Sequence, residues 1–336
     1  MRTYLLTILF FFLLGPLALR LAPVEAGEAG LPTVRFVQSG RTASSWPLFV
    51  GEEKKLFQKN GIYLEEIIIR GGTNVTRAVL SNTIPIGRIN PDYVIDAMEK
   101  GAHVKIASGA LEKLPYDLVG RPEIKNGAAL KGKTIAADSL TGGTTLMLWE
   151  VTEKAFGLKQ NDYKILVVGT SPDRYAALKG GSVQATFMGP PFNLRAEKEG
   201  FTKLTTFHEH LGPIQFVVQF VHEDYLKSNR AEVVKFLKGM AEATKWLYDP
   251  KNKEEALAIY TKILKSPREA AEADYRYMIE EFKPFPVDGA INKQAIEKTF
   301  DLREKAGKYE GKKAPSYLQY VDTSLVDDAK KQLGWK

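Results

Sequence analysis

Thr134-Ile135-Ala136-Ala137-Asp138-Ser139-Leu140-Thr141-Gly142-Gly143-Thr144-Thr145 leads into a stretch with Leu148, Val151, Thr152 and Ala155 at helical spacing. The first four residues suit a short buried strand and the last stretch an amphipathic helix, so the whole is one strand–loop–helix unit. Its loop holds two glycines, which let backbone approach a ligand, and four hydroxyl side chains that donate or accept hydrogen bonds. The lysine of a phosphate-binding P-loop and the spacing of a dinucleotide fingerprint are both missing. Taken alone, the loop fits a small-ligand contact and an ordinary capped turn equally well.

The same alternation recurs on either side. Strands are expected at 34–38, 63–69, 84–87, 104–108, 165–168, 185–188 and 215–222, separated by helices such as 46–59, which Asn60-Gly61 closes. Alternating strands and helices argue for mainly parallel sheets covered by helices, an α/β fold. Beyond His222 the pattern becomes helical, at 231–248, 253–264, 267–282 and 292–306. Ala256, Ile259, Tyr260 and Ile263 fall on one face of the second of these. The economical arrangement has two lobes: 27–112 plus 216–336 forming the first, with the helical third packed on it, and 113–215 inserted as the second.

One device repeats where strands end: a polar or Gly-containing loop, then a helix opening with a capping residue and proline. It occurs at Ser45-Trp46-Pro47, Asn90-Pro91 and Ser171-Pro172, and without the cap at Pro190-Pro191. Each opening leaves backbone N–H groups and a positive dipole end free for an anion or carbonyl oxygen. Loops after the C-terminal ends of strands in open α/β sheets converge on one crevice, so several openings together describe a polar cleft. Gly71-Gly72-Thr73-Asn74 follows the same logic, with Thr73 or Asn74 as cap. Arg41, Arg70 and Arg88 stand just beyond strands, where an arginine holds a carboxylate or sulfonate in a two-pronged bond or is simply solvated. Trp46, Tyr93 and Phe192 lie at or near helix openings, with Trp46 suited either to stacking on a planar ligand or to packing on its own lobe.

Residues 1–26 carry the marks of a cleavable export signal: Arg2, an apolar run 4–14 broken by Thr7 alone, and Val24-Glu25-Ala26 as the small-residue site. Gly15-Pro16 and Arg20 interrupt the run too early for a membrane span. The chain has no cysteine, which excludes disulfides, thiolate metal sites and a lipid-bearing cysteine. Removing the signal leaves 310 residues with 45 basic and 39 acidic side chains, a net charge of +6 spread along the chain. That spread disfavours a nucleic-acid partner and leaves a mild bias toward anionic ligands. Among the four histidines, His208 and His210 are expected to share a strand face, and two without a third ligand are weak evidence for metal. No nucleophile elbow, zinc-protease helix or kinase signature occurs.

The chain resembles the periplasmic solute-binding proteins of nitrate/sulfonate/taurine-type ABC importers, a family related to thiamine-pyrimidine-precursor synthases. The resemblance spans the mature chain. It rests on Trp46-Pro47-Leu48-Phe49-Val50 leading to Leu56-Phe57-Gln58-Lys59-Asn60-Gly61-Ile62, on Leu130-Lys131-Gly132-Lys133-Thr134-Ile135-Ala136, on Thr141-Gly142-Gly143, on 177–185, on Pro190-Pro191-Phe192 and on 196–201. Lys54-Lys55 and Ile84-Pro85-Ile86-Gly87 depart from the family pattern and blur the ligand. The resemblance implies a type II binding-protein fold whose lobes close on a small ligand. The candidate contacts are Arg41, Ser44, Ser45, Trp46, Gly72, Thr73, Asn90, Ser139, Thr141, Gly142, Gly143, Thr144, Met188, Pro190 and Phe192. It further implies a monomeric, periplasmic, non-enzymatic protein that uses no cofactor or metal and delivers an organic anion, nitrate or heterocycle to a permease. A synthase-like enzyme is disfavoured by the missing cysteines and the export signal, while a sensor lobe for a receptor kinase stays open.

Overall fold

The computed structural model describes residues 30–140 and 142–335, so residues 1–26, expected to form an export signal, and Thr141 lie outside the described residues. The strands are β1 (Thr33–Gln38), β2 (Tyr63–Ile68), β3 (Ile86–Ile89), β4 (Val104–Leu111), β5 (Asp117–Gly120), β6 (Thr134–Ala137), β7 (Lys164–Val167), β8 (Ala185–Met188), β9 (Thr202–Thr206) and β10 (Val217–His222). The helices are α1 (Trp46–Glu53), α2 (Leu56–Lys59), α3 (Gly72–Leu80), α4 (Pro91–Glu99), α5 (Gly143–Phe156), α6 (Ser171–Lys179), α7 (Phe192–Lys198), α8 (Phe207–Leu211), α9 (Glu223–Tyr248), α10 (Lys253–Leu264), α11 (Arg268–Tyr275), α12 (Lys293–Lys305) and α13 (Ser324–Leu333).

They build two five-stranded sheets with one plan: sheet A runs β2-β1-β3-β10-β4 and sheet B runs β7-β6-β8-β5-β9. Within sheet A, β2, β1 and β3 pair in parallel while β10 runs antiparallel between β3 and β4. Sheet B repeats this, with β5 antiparallel between β8 and β9. Each antiparallel strand follows a crossing from the other sheet. The two crossings are zipped together by backbone bonds, Phe216 N–H to Leu111 O at 2.9 Å and Ile214 N–H to Glu112 O at 3.1 Å. One apolar cluster runs through them, joining Trp46, Leu111, Leu118, Phe187, Phe207 and Tyr260.

Most expected strands are present, with β3 displaced two residues to Ile86–Ile89. Pro85 explains that shift, because it has no N–H to give a ladder. Two strands were not foreseen. β5 is only Asp-Leu-Val-Gly, and β9, Thr-Lys-Leu-Thr-Thr, is a polar sheet edge, so neither shows a sustained apolar alternation. The expected helix 46–59 is two, since Lys55 takes a left-handed φ of 53° between α1 and α2. His208 and His210 sit in the short helix α8 rather than on a strand, a correction explained by β9 ending at Thr206. Of the C-terminal helices, α9 and α13 pack on sheet A's side, whereas α12 also reaches α5 of the second lobe. Among the described residues no helix is long and apolar enough to cross a membrane.

Candidate functional site

The loops that follow β3 and β6, one from each sheet, meet each other. Asn90 opens α4, its side-chain oxygen accepting from Asp92 N–H at 3.0 Å while its NH2 donates to Phe216 O at 3.1 Å. The loop after β6 folds on itself: Ser139 Oγ accepts from Gly142 N–H at 2.7 Å, and Thr145 Oγ1 donates to Ser139 O at 2.8 Å. This packs the opening of α5 directly on the opening of α4. A Cβ on Gly143 would lie 2.5 Å from Asn90 Oδ1 and 2.9 Å from Asp92 Cβ, so the approach depends on glycine.

Tyr93 joins the two sides. Its ring lies against Gly72, where an added Cβ would come within 2.4 Å, and its hydroxyl lies beside Ser139, both near Gly142. Burial and the nearby Asp138 carboxylate raise the phenol pKa, so the hydroxyl stays protonated. Around it Thr73, Thr76, Arg77, Tyr93, Ser139 and Gly142 line a hollow of about 500 Å³ open to solvent. The volume falls in the range of small-molecule sites; α3, α4 and residues 100–102 form most of its wall, and Ser139 and Gly142 close one end. A further ionic link between lobes, Arg70 to Asp173 at 3.1 Å, is exposed and correspondingly weak.

The structure divides the sequence-derived candidates. Thr73, Ser139 and Gly142 share the hollow, while Gly72 lies against Tyr93 and Gly143 against Asn90; Thr141 is outside the described residues. Ser44 and Ser45 belong elsewhere, beside a second small cavity on the other face of sheet A. Thr144 is buried and bonded to Asp138, which makes it part of the loop's own frame. Met188 is wholly buried in the second lobe's core. Pro190 is buried, and the Phe192 ring packs on Tyr175 with centroids 5.7 Å apart. Arg41 is paired with Glu66 on the sheet edge, its Nε 2.6 Å from Oε2. The caps also differ from expectation: Gly71, not Thr73 or Asn74, precedes α3, and Thr42 rather than Ser45 caps the turn before α1.

Trp46 takes the packing course. It is fully buried, stacked on Tyr260 at 4.0 Å, and its indole N–H donates to Ala256 O at 3.3 Å. Tyr260 in turn donates to Asp274 at 2.6 Å, and burial pushes the Asp274 carboxyl up to about 7. Folding therefore favours the protonated acid, and the contribution of Asp274 to stability falls as pH rises from about 4 to 7. Glu52, lifted to about 7 by burial beside Glu66, acts in the same direction. The prediction is that urea unfolding at pH 5 and pH 7.5 gives a smaller loss of stability with rising pH in Asp274→Asn than in the parent. Parallel profiles would remove Asp274 from the account.

Residues that sequence reasoning passed over cluster around Arg88: Gln38, Ser108 and Gln219 are polar, buried and set in otherwise apolar strands. A lone Gln in Val-Val-Gln-Phe-Val-His was a readable signal, since a buried polar side chain needs a partner.

A family model described as NMT1/THI5 like matches residues 42–253, taking in both glycine loops, the α4 opening and β10. The chain belongs to the NMT1/THI5-like family. Relatives in sequence include the protein YtlA of Bacillus subtilis (strain 168), 23% identical over 310 residues that cover 89% of this chain and 90% of that protein. The nitrate/nitrite binding protein NrtA of Synechococcus elongatus is 24% identical over 300 residues, covering 78% of this chain and 64% of NrtA. Among solved structures, the alkanesulfonate-binding protein SsuA of Xanthomonas axonopodis pv. citri, bound to MOPS, superposes with a TM-score of 0.70 at 15% identity, covering 87% of this chain and 97% of SsuA. That likeness establishes the fold shared by this NMT1/THI5-like chain, a two-lobed binding-protein architecture.

Proposed function

We propose that this chain is the extracytoplasmic solute-binding component of an ABC importer, capturing a small organic anion, nitrate-like anion or heterocycle between its lobes without chemistry. The observation that carries the reading is the seating of the α5 opening on the α4 opening, with Tyr93 beside Ser139 where the loop after β6 closes one end of the hollow along α3 and α4. A ligand biases closure only through contacts it makes better in the closed state, and groups brought together from two lobes offer such contacts. In this reading 27–112 plus 216–336 and 113–215 are the moving lobes, 1–26 directs export, and the released monomer docks on a permease. Family membership and the nitrate- and sulfonate-binding relatives support it.

The test is a thermal-shift screen of nitrate, alkanesulfonates, aromatic carboxylates and pyrimidines, followed by calorimetry on the hits. A ligand at a hundred times its dissociation constant should stabilise the protein by about 2.7 kcal/mol. Tyr93→Phe and Ser139→Ala should each weaken the best hit about 3- to 10-fold, the size of one lost hydrogen bond. Unchanged affinity in both variants would move the solute out of this hollow. Thr144→Ala is a different case, since its bond to Asp138 supports the loop and its loss should lower the melting temperature of the unliganded protein.

A further inference from the structure

Helix α12 is built into sheet A's lobe but touches both. Its Ile296 and Phe300 lie in one apolar cluster with Val37, Val94 and Phe220, and Arg303 near its end is bonded to Asp92 of α4. Its first turn lies along the second crossing, where Gln215 N–H donates to Ala295 O at 2.9 Å. From there α12 reaches α5, and Glu150 of α5 is ringed by three lysines. Lys305 Nζ lies 3.0 Å from both carboxylate oxygens, while Lys154 Nζ is 3.0 Å and Lys298 Nζ 3.6 Å from Oε1. Glu150 is 7% exposed. Burial by itself would push its carboxyl up, but bonds from Lys154 and Lys305 outweigh burial and hold it below the ordinary carboxylate range. The side chain is therefore ionised at neutral pH.

The three lysines differ in where they are anchored. Lys154 stands one turn further along α5 and travels with Glu150 wherever that helix goes. Lys298 and Lys305 belong to α12, which Arg303 fastens to α4 through Asp92, Asp96 and Glu99. Parting the lobes leaves Glu150 with Lys154 and takes the other two away. A contact made in one state only shifts the balance toward that state by its worth there. Among the described residues the other ion pairs joining 113–215 to the rest are Arg70 with Asp173 and Lys198 with Glu269, and in both the acid is more exposed than Glu150. A carboxylate shielded from water is screened less than an open one, so the pair at Glu150 carries the larger share.

We propose that Glu150 is the catch of an electrostatic latch: Lys298 and Lys305 reach it from the other lobe and favour the seated arrangement before any solute arrives. The latch sets how much of a solute's binding is spent on closing the lobes, since apparent affinity scales with the fraction already competent. It rests on the two-lobe reading of the proposed function and uses no residue that lines the hollow.

Single-molecule energy transfer between dyes on cysteines introduced at the exposed Lys59 and Lys159 counts seated and separated molecules in the solute-free chain. Glu150→Gln and Lys305→Met should each shift the ratio toward separation about 2- to 5-fold, the scale of one ion pair. The double variant should go no further than Glu150→Gln alone, because the two residues act as one pair. Lys154→Met should not increase separation, whereas a merely helix-supporting role for Glu150 would make it act like Lys305→Met. Raising sodium chloride from about 0.01 M to about 1 M, which shortens the screening length from about 30 Å to about 3 Å, should separate the parent more than Glu150→Gln. Populations unchanged by Glu150→Gln and Lys305→Met, in a chain whose lobes do part on Gly143→Val, overturn the latch and leave the import reading standing. A single population in every variant, Gly143→Val included, means that the lobes do not part and overturns both together.

Discussion

Arg303→Met is expected to cost about 3 to 5 kcal/mol of stability, the loss typical of a buried ion pair stripped of one partner. The Arg303 side chain on α12 is wholly buried and lies against three acids of α4: Asp92, Asp96 at 2.8 Å and Glu99 at 2.6 Å. It also donates to the Tyr309 hydroxyl at 2.9 Å. Asp92 is itself 1% exposed, so methionine would leave a buried carboxylate with no bonded cation and only the more distant Lys308 to offset it. Burial already holds the Asp92 pKa above its ordinary value, with Arg303 pulling it down. Removing the guanidinium takes away that pull, so the folded variant should bind a proton more tightly than the unfolded chain by a wider margin than the parent does. Stability of the variant should therefore recover as pH falls from 7 to 5, more than the parent's changes. Urea unfolding at the two pH values checks this. Adding Asp92→Asn should also recover stability, because the pair is coupled. A loss under 1 kcal/mol, insensitive to pH, would mean that Arg303 does not neutralise Asp92.

The Arg303 network also marks where reading the sequence stops. The α/β alternation, the strand ends at Gln38, Ala137 and Met188, and the cap at Asn90 are local facts, set by β-branched runs, glycine and side chains one or two residues from the backbone they serve. They were legible because their causes lie within a few residues. Arg303 and Asp92 are 211 positions apart, and neither neighbourhood announces the other. The three arginines after strands show the same limit. Arg41, Arg70 and Arg88 look alike in sequence, yet Glu66 neutralises the first, Asp173 meets the second in the open, and the third is buried without an acid. Trp46 beside a helix opening suited either role, and Tyr260, 214 positions on, decides it by stacking. Tyr93, mentioned as one aromatic among three, becomes central because Gly72 and Ser139 come to it from two different loops.

Gly143→Val should hold the lobes apart. The seated arrangement leaves no space at this position: a Cβ would meet Asn90 Oδ1 at 2.5 Å and Asp92 Cβ at 2.9 Å, and valine adds two methyl groups beyond that. Neither neighbour can give way without further loss. Asn90 is fixed at both ends of its amide, to Asp92 N–H and Phe216 O, and Asp92 is pinned by Arg303. Overpacking of this kind costs typically 1 to 3 kcal/mol. The cost applies only where the loops touch, so it shifts the balance between seated and separated lobes by roughly 5- to 150-fold and weakens any ligand that needs the seated form by a similar factor. Gly143 belongs to none of the apolar clusters that hold the sheets, so the variant should fold. The absence of native cysteine allows clean labelling, and dyes on cysteines introduced at the exposed Lys59 and Lys159 would report lobe separation by energy transfer. Lower transfer in Gly143→Val, partly restored by Asn90→Ala in the same chain, is the expected result. Transfer equal to the parent's would show that the contact between α4 and α5 does not set how the lobes meet.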